Sequence, residues 1–374
     1  MGRWWPPSAS QPPERRHAAP MAMISSSAKS MSGKKGGLKV TPAGPTTIPE
    51  PLAVDGAWKL KPGSGRGAGA IVMCVVALFW NGVTWGITAG VLHDTNGVGR
   101  IFILLFMLIF IALGVLMAVI AVMMVMKALF TPVVELTLDV PRLVRGKPAA
   151  LRWEVSRRAE RLKDLHIALV LREECQYRRG TDTSTDACDV RELALADHDV
   201  PLSAGSCTVL VPEDLPPSFA TKANQLVWMI RLRGTARGAP DIDDTFPLRV
   251  EVEGAPAASL VSTPLPVGTR LPEEGPVLVL AGADACPAPG HPLAGVVRAP
   301  GRAVSLRLRW QVNGKGDPEG GEAASVLLPA DSAGFVMTLP ATPPAFRGTM
   351  LSITWVLEAV VDGQIVSSHH FTAG

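Results

Sequence analysis

Two long apolar runs interrupt a chain whose hydrophobic and polar positions otherwise alternate. Residues 68–92 and 101–126 contain no charged side chain, and the polar connector at residues 93–100 contains two glycines. A hydrocarbon core of roughly 30 Å requires about 20 helical residues. Only a helix satisfies every backbone group of such a run inside lipid. The pattern therefore predicts a transmembrane helical hairpin at residues 68–130.

From residue 131 onwards the hydrophobic period changes to two, which is typical of strands with one buried face. Short alternating runs separated by Pro and Gly turns indicate β-sandwiches. One series occupies residues 131–253 and a second occupies residues 277–374. Between them lies a linker rich in Pro, Ala, Ser and Thr at 254–276, with room for a short edge strand. We therefore expect a mixed fold, with a membrane α-helical hairpin followed by two consecutive immunoglobulin-like, all-β sandwich domains.

Residues 1–67 are rich in Pro, Ser, Gly and Lys and lack apolar periodicity, so we expect a disordered tail. The tail is basic, with ten Lys and Arg residues against three acidic ones. On a mildly acidic protein, such a tail indicates a topology signal or a contact with membrane lipid. A nucleic-acid partner is not expected.

The charges that flank the hairpin predict its orientation. Basic residues lie on both outer flanks, whereas Arg100 in the connector is offset by Asp94. Because positive flanks stay in the cytoplasm, both termini are expected there. The excess of Arg, Ala, Gly and Pro over Lys suggests a GC-rich genome and hence a bacterial inner membrane. The outer-flank residues are Lys59, Lys61, Arg66, Lys127, Arg142, Arg145 and Lys147.

Small residues recur every four positions in both apolar runs. Gly82, Gly86 and Gly90 share one helix face, and Gly114 and Ala118 have the same spacing. Such faces let two helices approach closely. The simplest interpretation is that the two helices pack on each other, and the alternative is a homo-oligomer interface.

Asn81 lies near the expected middle of the bilayer. An unsatisfied amide at that depth is costly, so its side chain needs a hydrogen-bond partner. We expect Asn81 to join the helices, because two helices and one amide form no transport pathway.

The two β-series contain the same local sequences in the same order. Each contains Pro-Pro-x-Phe, followed nine residues after the Phe by a Trp in an apolar strand. A Gly-x-Pro turn (146–148 and 290–292) and a Leu-Arg-Trp triplet (151–153 and 308–310) also occur in both. The pattern predicts a duplication in which a stiff turn leads to a core Trp. The motif residues are Pro217, Phe219, Trp228, Pro344, Phe346 and Trp355.

A tandem with these corners resembles the arrestin-like fold, including its bacterial sporulation-control and retromer-subunit relatives. The resemblance spans roughly residues 131–373 and also rests on the strand at 165–171 with Glu173 and Glu174 after it. It implies a scaffold that binds other proteins. The polar core and phosphate-sensing residues of signalling arrestins do not map onto this chain, so phosphoprotein binding is not implied.

No motif indicates a catalytic, cofactor-binding or metal-binding site. The acidic stretch 241–244 lacks the Gly and distal Glu of an EF-hand loop, so it is expected to be a solvated loop between strands. His369 and His370 are expected on opposite faces of a strand. Asp182, Asp186 and Asp189 are expected in an exposed loop. No cysteine pair has C-x-x-C spacing, so neither a zinc site nor a redox motif is indicated. Free thiols are expected in a reducing compartment, whereas a Cys188–Cys207 disulfide would require the opposite topology.

We therefore expect a non-enzymatic, membrane-anchored scaffold with unidentified protein partners. The alternative is an accessory or regulatory subunit of an envelope enzyme or transporter that docks through the hairpin.

Overall fold

The computed structural model describes residues 46–54, 56–63, 68–94, 97–197, 203–254, 257–265, 277–280 and 287–371. A short 3₁₀ helix lies at Ala159–Arg161. Otherwise the chain forms two α-helices and a series of strands within these ranges. In chain order they are β1 (Leu52–Val54), β2 (Ala57–Lys59), α1 (Ala68–Asp94), α2 (Val98–Phe130), β3 (Val133–Leu138), β4 (Leu143–Val144), β5 (Pro148–Arg157), β6 (His166–Arg179), β7 (Asp182–Asp197), β8 (Ala204–Leu210), β9 (Phe219–Ala220), β10 (Asn224–Gly234), β11 (Ile242–Leu248), β12 (Val250–Glu251), β13 (Ser259–Thr263), β14 (Val277–Leu280), β15 (Pro292–Ala299), β16 (Val304–Gly314), β17 (Glu319–Leu328), β18 (Asp331–Thr338), β19 (Phe346–Arg347), β20 (Leu351–Val361) and β21 (Gln364–Phe371).

The two helices have the length and composition of membrane spans. The most apolar 18-residue windows of Gly69–His93 and Ile101–Phe130 have mean hydropathies of 1.9 and 3.2, and only 17% and 6% of these windows are buried. A core helix of a soluble protein is mostly buried, so this exposure fits lipid better than a protein core. The prediction of two long apolar helices followed by β-sheet is confirmed. Helix α2 continues beyond the predicted end at 126, and Thr131 before Pro132 adopts extended backbone, as the proline ring requires.

Polar groups join α1 to α2. The Asn81 side-chain amide donates to the carbonyl oxygens of Ala77 at 2.8 Å and Gly114 at 3.0 Å. The Trp80 indole donates to the Phe110 carbonyl oxygen at 3.2 Å. A Cβ atom on Gly114 would lie 2.6 Å from Asn81 Oδ1. Gly114 is therefore the small residue that permits this approach.

The glycine row of α1 faces away from α2. A Cβ atom added to Gly82, Gly86 or Gly90 would have nothing within 4 Å. Packing of this row against α2, the simplest interpretation of the sequence, is therefore wrong. Because Trp80 and Asn81 donate hydrogen bonds to α2, the face of α1 that meets α2 carries a different row of small residues. Its buried members are Ala70, Ala77, Thr84 and Thr88 on α1, opposite Gly114, Ala121 and the half-buried Ala118 on α2.

The first β-domain consists of two sheets that share one core. One sheet has the order β1-β2-β3-β5-β8, and the other has the order β11-β10-β6-β7 with β9 paired to β10. Alternate residues point inwards, as in β3, where every second side chain is buried. The core combines Leu136 and Trp153 of the first sheet with Leu169 and Trp228 of the second. A short parallel pair, β4 with β12, closes one end.

The second β-domain also consists of two sheets. One sheet has the order β13-β18-β15-β14, and the other has β17-β16-β20 with β19 and β21 both paired to β20. Phe335 and Met337 of the first sheet pack in one core with Leu308, Trp355 and Leu357 of the second.

The strand pairings of the first domain recur in the second. In the first domain, β5 pairs with β3 and β8, β6 pairs with β7 and β10, and β10 pairs with β9 and β11. In the second domain, β15 pairs with β14 and β18, β16 pairs with β17 and β20, and β20 pairs with β19 and β21. The order along the chain is the same, which is the pattern expected of an internal duplication.

Part of the tail predicted to be disordered belongs to the first β-domain. Strands β1 and β2 form a hairpin, and β2 pairs with β3 through Trp58 opposite Leu138. The Leu60 amide donates to the Leu136 carbonyl oxygen at 2.9 Å. These contacts cover the edge of β3, which would otherwise expose unpaired backbone groups. Residues 46–54 and 56–63 are hereafter the pre-helix segment; the rest of the predicted disordered tail lies outside the described residues.

The pairing of β2 with β3 fixes the geometry of the hairpin flanks. Strand β2 precedes α1 and β3 follows α2. Because the two strands are neighbours in one sheet, the chain enters α1 and leaves α2 at the same end of the helical hairpin.

Two further sequence predictions are wrong in detail. Asp182, Asp186 and Asp189 lie in β7, which pairs with β6 along its length, and not in a loop. Asp244 is in β11 and only 3% exposed. The many polar residues of β7 obscure its strand period, and its long apolar partner β6 supplies the pairing. Within the predicted linker, β13 belongs to the second domain.

Candidate functional site

A fully buried carboxyl group lies where the two β-domains meet. Glu173 on β6 is 0% exposed. Its carboxyl oxygens accept hydrogen bonds from the backbone amides of Thr349 at 3.0 Å, Met350 at 2.6 Å and Leu351 at 3.1 Å. An acidic side chain of the first domain thus binds three consecutive backbone amides of the second domain. This contact and those described next form the junction.

A second carboxyl group makes the reverse contact. Glu319 at the start of β17 accepts from the backbone amides of Lys222 at 3.0 Å and Ala223 at 3.1 Å and from the Thr221 hydroxyl. Burial favours the neutral carboxyl, but the hydrogen bonds from Thr221 and Ala223 outweigh it and lower the pKa of Glu319 below 4.5. The Asn224 side-chain amide adds a bond to the Asp317 carbonyl oxygen at 2.8 Å. Each domain therefore holds backbone of the other.

Apolar side chains form the centre of the junction. The rings of Phe219 and Trp310 meet edge to face with their centroids 6.0 Å apart, a favourable arrangement for aromatic pairs. Val312, Leu351 and Ile353 of the second domain pack into the core of the first. Continuous apolar packing with hydrogen-bonded carboxyl groups beside it is typical of permanent interfaces.

Asp186 and Lys315 form an ion pair at the edge of the junction. The Lys315 ammonium lies 5.2 Å from the centre of the Tyr177 ring. The hydrogen bond from Lys315 lowers the pKa of Asp186 below its usual 3.8.

Cys175 is enclosed by the junction. Its side chain is 0% exposed, and the backbone of Gly316 in the second domain is within hydrogen-bonding reach of the thiol. Burial raises the pKa of Cys175 to about 11. The described cysteines, Cys74, Cys175, Cys188 and Cys207, are free.

Adjacent acidic residues on β6 hold different segments. Glu174 faces the opposite side of the sheet from Glu173, because side chains alternate along a strand. It accepts from the Gln225 side-chain amide at 2.9 Å and from the backbone amide and hydroxyl of Thr46 at 2.9 and 2.6 Å. Next to this contact, Ile48 packs on Ala168, Val170, Val227 and Met229.

The two tryptophans of the repeated motif make the same hydrogen bond. The Trp228 indole donates to the Pro216 carbonyl oxygen at 2.9 Å, and the Trp355 indole donates to the Pro343 carbonyl oxygen at 3.1 Å. Both acceptors lie one residue before the buried motif prolines. Phe219 pairs with Leu226, and Phe346 pairs with Ile353. The motif residues are Pro217, Phe219, Trp228, Pro344, Phe346 and Trp355.

The other two sequence repeats differ in outcome. Gly146 and Gly290 both have positive φ, at 76° and 83°, and precede the equivalent strands β5 and β15, so this repeat is structural. Trp153 lies on β5 whereas Trp310 lies on β16, which corresponds to β6. The Leu-Arg-Trp repeat therefore does not join equivalent positions.

Two grooves flank the junction. One, with a volume of about 480 Å³, is lined by Leu215 and Pro216 of the first domain and by Pro344, Arg347 and Trp355 of the second, among others. We call it the interdomain groove. The other, of about 430 Å³, lies between the pre-helix segment and the first domain and includes Ile48 and Arg142 in its wall.

No metal cluster accompanies these grooves in the part of the chain that the structure describes: no group of three or more His, Cys, Asp or Glu residues there could hold an ion. No protein-family model matches the chain, and no curated protein matches it. The structure itself defines the class: an apolar two-helix hairpin joined to a pair of β-domains that are fastened at a polar junction.

The sequence assigned no role to Glu173. A signal was nevertheless present, because two acidic residues directly follow one of the most apolar strands of the chain. Acidic side chains are almost never fully buried unless they are paired. The partners of Glu173 are backbone amides, which no side-chain pattern identifies.

Proposed function

We propose that this protein is a membrane-anchored, non-enzymatic scaffold whose tandem β-sandwiches, arrestin-like in form, bind a protein partner. The observation on which this rests is the interdomain groove, whose walls belong to two domains that Glu173, Glu319 and the apolar centre of the junction hold together. A binding surface built from two fastened domains loses little entropy when a partner binds.

Membrane anchoring is supported by the exposure of the apolar helices and by the pairing of β2 with β3. The basic flanks favour a cytoplasmic location for both termini, in a bacterial inner membrane. The connector between α1 and α2 would then be the part that faces outwards.

The arrestin-like form is supported by the recurring strand pairings. Two-sheet domains in tandem, each with an indole bonded to the proline corner, agree with the resemblance noted in the sequence. The scaffold role draws on that resemblance and on the apolar floor of the interdomain groove, formed by Leu215, Pro344 and Trp355 with Arg347 at its rim. Apolar centres with polar rims are typical of protein interfaces.

Photo-crosslinking in native membranes tests the scaffold. A photoreactive amino acid at Arg347, which is exposed and lines the groove, should yield a discrete crosslinked partner. The control is the same amino acid at Leu327, which is 72% exposed on β17 outside the groove. Glu173→Gln should reduce the Arg347 product selectively. Equal products from both positions, or none, would count against the scaffold.

The second candidate is an accessory subunit that docks through the hairpin. It is favoured by the row of Gly82, Gly86 and Gly90, which α2 leaves uncovered. Replacing all three with Leu should dissociate a membrane complex, or a homo-oligomer, on native gels if this row is an interface. Val83→Leu with Ile87→Leu, at exposed apolar positions of the same helix, is the control. Unchanged migration of the triple variant would leave the hairpin as an anchor only.

Cysteine labelling on intact cells tests the orientation. Cys188 is partly exposed on β7. An impermeant maleimide should label it only after the cells are opened. Labelling from outside would overturn the cytoplasmic placement.

A further inference from the structure

The first β-domain contacts the end of α2 through two arginines. The guanidinium carbons of Arg158 and Arg161 lie 4.9 and 5.4 Å from the centre of the Phe130 ring. Phe130 ends the 30-residue apolar segment Ile101–Phe130. At a rise of 1.5 Å per residue this segment is about 45 Å long, which matches a bilayer including its headgroup layers. Both guanidinium groups would therefore lie at headgroup depth.

Backbone contacts hold two loops beside this end of α2. The Arg237 amide donates to the Arg161 carbonyl oxygen at 2.7 Å, and the Lys163 amide donates to that of Thr235 at 3.0 Å. The Thr131 hydroxyl, directly after α2, donates to the Pro240 carbonyl oxygen at 3.2 Å. Loops 157–163 and 235–240 are thus fixed to each other and to the helix.

The side chains of this surface are predominantly basic, and their cations have no ionic partner in the described part of the chain. None of its six cations forms an ion pair with a described residue, whereas many cations elsewhere in the β-domains do, such as Arg142 with Glu251 and Arg172 with Asp189. Three acidic residues, Glu160, Asp164 and Asp241, lie in or next to the same loops. The six cations form what we call the basic patch: Lys127, Arg157, Arg158, Arg161, Lys163 and Arg237.

Arg158 has two unusual features. Its backbone is left-handed, with φ 58° and ψ 41°, although it is not a glycine. Its Nη1 atom is buried and has no hydrogen-bond partner among the described residues. Strained backbone and unsatisfied donors are concentrated at functional sites. The guanidinium group of Arg158 therefore carries a donor that no described residue of the protein satisfies.

We infer that the basic patch binds the headgroup phosphates of anionic phospholipids and so holds the first β-domain against the bilayer. This inference rests on the membrane anchoring proposed above. The phosphate oxygens would accept hydrogen bonds from the arginines, and Phe130 keeps Arg158 and Arg161 at the depth of those phosphates. Each basic residue near an anionic membrane surface strengthens binding by roughly fivefold.

Lipid retention by the purified full chain tests the inference. The protein is extracted in mild detergent, exposed to equal amounts of phosphatidylglycerol and phosphatidylcholine, and examined by native mass spectrometry. The unchanged chain should retain phosphatidylglycerol preferentially. Arg161→Gln with Lys163→Gln should weaken that retention by roughly tenfold or more. Arg178→Gln with Arg179→Gln, which removes the same charge at the far, exposed end of β6, should retain phosphatidylglycerol like the unchanged chain.

The other outcomes are also decisive. Equal retention by the unchanged chain and the Arg161/Lys163 variant, or equal loss in the Arg178/Arg179 control, would overturn the inference. Competition by inorganic phosphate at the lipid concentration would show a free-anion site instead. Protection of Cys175 from alkylation verifies that each variant is folded. If the unchanged chain shows no preference for phosphatidylglycerol but is recovered in the membrane fraction, only the inference about the basic patch is rejected. Recovery of the chain in the soluble fraction would reject the membrane anchoring itself.

Discussion

The backbone amide of Leu351 donates a 3.1 Å hydrogen bond to Oε2 of Glu173 across the boundary between the two β-domains. The same carboxyl group accepts from Thr349 and Met350 and is 0% exposed. Buried donors that lose their acceptor cost more free energy than an average hydrogen bond contributes. The relative position of the two domains therefore depends strongly on this one side chain.

Glu173→Gln should open the junction more often. The amide keeps one acceptor oxygen, but its NH₂ group faces backbone donors, so we expect a loss on the order of 3 kcal/mol. Because Cys175 is enclosed by the junction, its alkylation should accelerate roughly 100-fold. The measurement uses the full chain with Cys74, Cys188, Cys207 and Cys286 replaced by Ala.

The matched control for this variant is Glu174→Gln, the same change on the neighbouring residue. Glu174 holds Thr46 and Gln225 and makes no hydrogen bond to the described residues of the second domain, so Cys175 should stay protected. Equal acceleration in both variants would show a general loss of stability and contradict the specific role of Glu173.

Gly348→Ala should strain the same contact. An added Cβ atom would lie 2.5 Å from Glu173 Cδ and 2.6 Å from Phe346 Cε1. Overpacking of this kind costs about 2 kcal/mol, so the midpoint of thermal unfolding should fall by several degrees. Thr349→Ala is the control, because its exposed side chain is removed while its backbone donor remains. A stability equal to that of the control would contradict the tight approach at Gly348.

Gly114→Leu should separate the helices, whereas Gly82→Leu should not. A Cβ atom at Gly114 meets Asn81 Oδ1 at 2.6 Å, and one at Gly82 meets nothing within 4 Å. Engineered cysteines at Ala77 and Ala118, in a chain without its natural cysteines, can report contact between α1 and α2 by disulfide crosslinking. We expect the crosslink to be lost only with Gly114→Leu. Loss with Gly82→Leu would restore the interpretation that the glycine row packs inside the hairpin.

Acid should weaken the junction through Glu319. Its folded pKa is lowered below 4.5 by donors from the 221–224 loop. A lowered carboxyl pKa contributes stability that is complete above the unfolded pKa and is lost as the pH falls through the folded pKa. Thermal unfolding midpoints should therefore decrease below about pH 4.5, and Glu319→Gln should reduce that dependence. Glu322→Gln, an exposed change on the same strand, should retain it.

The hydrophobic pattern identified the helices and most strands because the period of apolar residues is a local property. The absence of charge over residues 68–92 and 101–126 already required helices, and the alternation of Val133–Leu138 agrees with its buried face. The pattern failed for β7 because its polar residues alternate with few apolar ones. It failed for β1 and β2 because three-residue strands have too few positions to show a period.

The proline corners and the Leu-Arg-Trp triplets show that a repeated sequence does not always mark structurally equivalent positions. Equal spacing in the two series located Trp228 and Trp355 in equivalent strands, since a rigid turn and a core indole act over a short distance. The Leu-Arg-Trp repeat had the same appearance but joins β5 to β16. Only the strand pairings distinguish the two cases.

The sequence alone determined that an apolar hairpin precedes two alternating β-series, because burial and backbone hydrogen bonding impose those periods locally. The tertiary structure decided which row of α1 faces α2, that the pre-helix segment completes the first sheet, and that Glu173 joins the domains. These three results depend on where distant backbone groups meet: Gly114 for Asn81, Leu136 for Leu60 and Leu351 for Glu173. Backbone donors and acceptors are the same in every residue other than proline, so no side-chain pattern could indicate these partners in advance.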